Sequence, residues 1–135
     1  MNSATSQASN APFWMKYIGL PFRLGADPKD GEAADCIRLV LRVLEEAGLN
    51  PPHVERKWYA LLAHHNLEAI REDWFSLTEQ TAKPEEYAMT VLPSASEFSI
   101  GVVVNDGLLS VRSETGVLWM PLQNLPPLNF RRLKK

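Results

Sequence analysis

The chain has 135 residues, 45% of them hydrophobic, with 14 basic and 16 acidic side chains, a formal charge of −2 and one cysteine. That length suits one globular domain able to bury a core without disulfides or metals, and the near-neutral charge gives no electrostatic reason to expect nucleic acid or an anionic membrane as partner. A lone cysteine cannot form an internal disulfide, and no stretch approaches the roughly 20 apolar residues of a membrane span.

Residues 1–11 are small and polar and are expected to form a flexible arm unless a partner holds them. They show neither a basic n-region nor an apolar h-region, so no secretory signal peptide is expected and synthesis in the cytoplasm is. From Phe13 to Leu24 the pattern starts amphipathic and breaks at Gly19 and Pro21, which predicts a short helix running into an extended piece. Gly25 to Ala34 reads as a loop, because Asp27-Pro28 and Asp30-Gly31 are turn-formers.

That loop delivers the chain to the most informative stretch, Ala34 to Gly48. Asp35 suits an N-cap, since its carboxylate can accept an orphan amide of the first turn, and Gly48 suits a left-handed stop. The predicted helix runs from Cys36 to Ala47. Ile37, Val40, Leu41, Leu44 and Ala47 form one apolar stripe, and Cys36, Leu39 and Val43 a second beside it. Only Arg38, Arg42, Glu45 and Glu46 are left for water. This is a core helix with a thiol at its positive end, where dipole and free amides favour thiolate. Simple burial of a small apolar side chain explains the same placement.

After Gly48, Pro51-Pro52 forbids further helix. A second helix is expected from Val54 to His65, with Trp58, Leu61 and Leu62 on one face, and a third from Leu67 to Trp74. Beyond Lys83-Pro84 the pattern becomes strand-like: Tyr87 to Leu92, Phe98 to Val104, Leu108 to Arg112 and Val117 to Met120. Asn105-Asp106-Gly107 marks a hairpin. Phe130 to Lys135 is a candidate last edge strand, its basic residues blunting the edge or meeting a partner. Helices followed by strands give an α+β fold, in which the Cys36 helix packs on an antiparallel sheet built after about residue 85.

In this order the residues resemble the NlpC-type cell-wall peptidases, papain-like cysteine enzymes that cut peptides of bacterial peptidoglycan and occur in short form in phage tails. Tyr17-Ile-Gly-Leu-Pro-Phe-Arg-Leu-Gly25 is similar to the family's Tyr-x-Gly-x-Pro-Tyr-x-x-Gly entry, and Asp35-Cys36 to its Asp-Cys nucleophile at a helix start. Ile100 to Leu109 resembles the strand, turn and strand that follow the catalytic histidine. Gly116-Val117 and Pro121-Leu122 resemble the closing strand and turn. The resemblance implies a papain-like fold over residues 12–135 as one domain, with Cys36 at the nucleophile position, Ser99 at that of the family histidine and Ser110 at that of the orienting residue.

Serine at both imidazole positions departs from the family. A cysteine peptidase needs a base for the thiol and an acid for the leaving amine, and a hydroxyl is neither at neutral pH. The resemblance therefore implies a degenerate, non-catalytic domain acting as a structural component of a phage tail or baseplate. It would be located in the virion after synthesis in the host cytoplasm, its partners other tail or baseplate proteins and, as a candidate, peptidoglycan. The alternative is an active cysteine peptidase or amidase with a relocated base, for which His53, His64 and His65 are the candidates. No cofactor and no metal is expected: adjacent histidines such as His64-His65 diverge by about 100° on a helix, whereas joint ligands need i, i+4 spacing. Gly19, Gly25 and Gly31 lack the spacing and preceding strand of a phosphate loop. Trp58, Tyr59 and Trp74 read as core or rim aromatics, and the basic end as solvated, with neither nucleic-acid binding nor membrane insertion expected.

Overall fold

The protein, seen here as a computed structural model, is described over residues 11–92 and 99–134. The expected arm, apart from Ala11, lies outside these residues, as do Phe98 and Lys135. Among the described residues three α-helices, α1 (Cys36–Glu46), α2 (Glu55–Ala63) and α3 (Leu67–Leu77), precede six strands. The strands are β1 (Thr78–Gln80), β2 (Met89–Val91), β3 (Ile100–Val104), β4 (Gly107–Arg112), β5 (Gly116–Pro121) and β6 (Arg131–Leu133). They form one sheet in the order β1-β6-β2-β3-β4-β5, every pair antiparallel. The α+β class follows directly.

Helix α1 begins and ends where its sequence says it should. The Asp35 carboxylate accepts from the Arg38 amide at 2.9 Å. Gly48, at φ +87°, takes the left-handed conformation that only glycine adopts without strain. Between these stops the helix lies across β3 and β4. Ile37, Val40 and Leu44 join Val102, Val104, Leu109 and Val111 in a continuous core, each such side chain contributing about 1.5–3 kcal/mol by leaving water.

Because strand side chains alternate, the sheet buries its other face as well. There Ala88, Leu92, Val103 and Leu108 are covered by Leu122, Leu125, Leu128 and Phe130, from the segment that returns the chain to β6. The β3–β4 hairpin turns on Asn105 and Asp106, with φ of +51° and +61°, as two-residue turns of this hand require. A side chain at Gly107 would meet the Trp119 ring at 2.1 Å, so glycine there answers to packing. The entry segment is fastened by two side chains: Trp14 stacks on Trp119 and donates to Asn105 Oδ1 at 2.9 Å, and Tyr17 donates to Glu46.

Several expectations are corrected. The short helix expected after Phe13 is present as a 3-10 helix, Phe13–Tyr17. Helix α3 continues to Leu77 and passes straight into β1, so the sheet starts at Thr78, before residue 85. Strand β6 is internal, inserted between β1 and β2, because its residues find partners on both sides. Leu133 packs into the core, Arg131 bonds Thr78 Oγ1 at 2.7 Å and stacks 4.5 Å from the Phe75 ring, and Arg132 pairs with Glu79 and Glu85 at 3.0 and 2.9 Å. Arg131 and Arg132 thus have partners within the fold. Arg42, expected in water, is buried.

Candidate functional site

Cys36 opens α1 and is 9% exposed. Its thiol lies within hydrogen-bonding reach of the Ile100 backbone amide. The β3–β4 register runs from Val102↔Leu109 to Val104↔Gly107, so this amide lies beyond the ladder and is turned to the sulfur. Burial pushes the thiol up to about 11; the Ile100 amide and the amides of the first turn pull the other way, and the neighbouring Asp35 charge adds to the rise. Burial wins. At pH 7 roughly one thiol in 10⁴ is then ionised, too little for a nucleophile without a base.

The two serines do not face that thiol. Ile100 and Val102 sit in the core on the α1 side, and Leu92, cross-strand from Ser99 through its amide bond to the Ser99 carbonyl at 2.9 Å, sits on the opposite side. Alternation therefore turns the Ser99 side chain away from Cys36. Ser110 lies between Leu109 and Val111, both on the α1 side, and so it too points to the far face, where it is buried. What the fold brings to the thiol is the backbone of residue 100. His53, His64 and His65 are exposed and flank α2, His53 ahead of it and the other two behind. None shares the buried setting of Cys36.

The polar residue beside the thiol has a positioning role. Asp35 is 1% exposed, and its carboxylate accepts from the Arg38 amide, from the Gly25 amide at 2.7 Å and from the Tyr59 hydroxyl. One side chain thereby joins the loop, α1 and α2. Burial first, then the hydrogen bond to Asp35, drives the Tyr59 phenol far above its usual range.

An ion cluster continues from it. Arg42 grips both oxygens of Asp27 at 3.1 Å and reaches Glu45 and Glu55 at 3.0 and 3.2 Å. Arg38 lies 3.5 Å from Glu55 and 3.7 Å from Asp27. The two guanidiniums thus hold the three carboxylates of Asp27, Glu45 and Glu55 together.

Sequence reading found Asp35 as a cap and Cys36 as a buried thiol. It missed the Ile100 amide, for which no side-chain signal exists, and the bond from Tyr59, 24 residues away. Among the described residues no group of three or more His, Cys, Asp or Glu is placed to hold a metal ion, and no helix is long and apolar enough to cross a membrane. No protein-family model matches the chain, and no curated protein matches it.

Proposed function

We propose that this chain is a non-catalytic domain of NlpC-like, papain-like type that serves as a structural component of a phage tail or baseplate. The observation that carries the non-catalytic half is the setting of Cys36: a buried thiol held up at about 11, with the Ser99 and Ser110 side chains on the other side of the sheet. Further support comes from the way the polar residues next to the thiol are spent on capping and ion pairing. The tail location rests on the resemblance described above and on the family's short tail members. A relocated base draws no support from the three exposed histidines.

Two experiments test the two halves separately. Incubated with purified peptidoglycan, the protein releases no Cys36-dependent peptide, and Ser99→His leaves it inactive because the new imidazole faces away from the thiol. Hydrolysis that disappears in Cys36→Ala and in His64→Ala would instead establish the enzyme. For the location, deleting residues 1–11 lowers incorporation into particles while leaving the melting temperature of the isolated domain nearly unchanged. Normal incorporation of that truncation, or a full-length protein found only free of particles, would remove the structural reading.

A further inference from the structure

We propose that the core holds a binding site for one small, uncharged, apolar molecule, in the cavity where α1, α2 and α3 meet the sheet. The cavity measures about 30 Å³, and its wall draws on all three helices and on β1, β2, β3 and β6. Its volume is about the share of liquid that one water takes, so the site suits a methyl-sized guest and not a benzene ring, which a cavity of about 150 Å³ accepts.

The chemistry of the wall decides the class of guest. Its side chains carry no charge, and those with a nitrogen or oxygen are Trp58, Trp74 and Thr78. Trp58 Nε1 donates to Asp73 at 2.7 Å, and the Thr78 hydroxyl donates to the Trp74 carbonyl and accepts from Arg131 Nε, both at 2.7 Å. Of these atoms Trp74 Nε1 is buried without a partner. A buried water makes about three hydrogen bonds, so one donor cannot hold it, and an ion would give up its hydration for nothing in return. An apolar guest gains by leaving water and adds dispersion contacts to atoms that otherwise face a gap.

The void persists because the large side chains around it are held elsewhere. Asp73 fixes the Trp58 indole, and the Arg131 guanidinium lies 5.7 Å from the centre of the Trp74 ring, so neither ring is free to turn inward. Val40, branched at Cβ on a helix, has one strongly preferred rotamer and cannot swing to fill the space. Met89 is the adaptable part of the wall, able to yield to a guest slightly larger than the empty volume. Most of the wall is buried, but Pro52, Leu77 and Leu133 are half-buried, which brings the surface close on that side and marks the way in. Entry there takes side-chain motion alone, with the helices left in place on the core they share with the sheet.

Two apolar gases serve as probes of the full-length protein, its methyl groups labelled for NMR. Xenon should shift the methyl signals of Ile37, Val40, Leu44, Val54 and Met89 along saturable curves, and dioxygen, being paramagnetic, should speed their relaxation. The controls are Leu92, Val103 and Leu108 on the far face, which are buried as deeply and should respond much less, so that the contrast reports the cavity and not depth. Val40→Ile and Val54→Ile each add a methylene to the wall and should shrink both responses. Sodium acetate, small but charged, should leave the wall signals in place. Equal responses of wall and far-face methyl groups, a nuclear Overhauser contact from the wall to a bound water, a matching response to acetate, or undiminished responses in both filled variants would overturn the proposal. The wild-type measurements decide it even if neither variant folds.

Discussion

A thiol at the first turn of a helix is pulled towards ionisation by the helix and away from it by burial, and at Cys36 burial prevails. Because its folded-state value is raised to about 11, folding favours the neutral thiol. The resulting stability is complete below the usual thiol range and is lost as the pH climbs through about 11, amounting to about 3 kcal/mol for a shift of two units. Tyr17 and Tyr59, both raised by burial first and then by their carboxylate partners, steepen the same alkaline limb. Unfolding curves between pH 8 and 11 should therefore show falling stability, with a shallower fall in Cys36→Ala; equal slopes in the two proteins would contradict the burial of the thiol. Asp35→Ala leaves the Gly25 and Arg38 amides and the Tyr59 hydroxyl without their acceptor, and should cost about 3 kcal/mol by thermal or denaturant unfolding. The cap was legible because capping is local in sequence. The facing of Ser99 and Ser110 was not, since a strand has period 2 and a motif matched one residue out of register changes face.

At the scale of elements, α1 was readable almost to the residue, because a strong apolar stripe, a capping aspartate and a terminal glycine all agree. Arg42, expected in water, was misread. A guanidinium on an amphipathic helix looks solvated until the carboxylates of Asp27 and Glu55, 15 and 13 residues away, close over it. Replacing Arg42 with Ala strands those carboxylates in a half-buried site and should cost about 3 kcal/mol in unfolding measurements. Arg42→Lys should recover only part, since one ammonium cannot meet Asp27, Glu45 and Glu55 as the three guanidinium nitrogens do. Val40→Asp should leave no cooperative unfolding transition, because nothing in the α1 core can pair the new charge. Strand β6 was misplaced for a related reason. Three residues with two arginines suit an exposed edge, and only the positions of Glu79, Glu85 and Thr78 make them suit the interior of a sheet.

For the molecule as a whole, the sequence conveyed the α+β class and the meander β3-β4-β5, where each pairing is local, but not the placement of β6 beside β1, a contact spanning 53 residues. Nor did it reveal that ion pairs tie the loop and α2 to α1 alongside the apolar core that Trp58, Ile70 and Trp74 share with the sheet. Those ion pairs have a consequence in acid. At Asp27 burial alone would raise the carboxyl, but the Arg42 hydrogen bond and the Lys29 amide outweigh it and hold it below the usual carboxylate range. Asp73 is lowered chiefly by Trp58 Nε1, against a smaller effect of burial. Both groups contribute stability that is present above the ordinary carboxylate range and is lost as the pH falls through their depressed folded-state values. Asp27 holds the loop to α1 and Asp73 holds α2 to α3, whereas the sheet and its two apolar faces contain no group lowered in this way among those with a resolved shift. Acid should therefore loosen the loop 25–34 and the α2–α3 pair before the sheet. On titration from pH 6 to pH 2, hydrogen exchange of α2 and α3 should accelerate at a higher pH than that of β3 and β4, and Asp27→Asn should weaken the acid dependence of the loop. A single concerted transition at all sites would show that the pairings of Asp27 and Asp73 have no separate part in holding the molecule together.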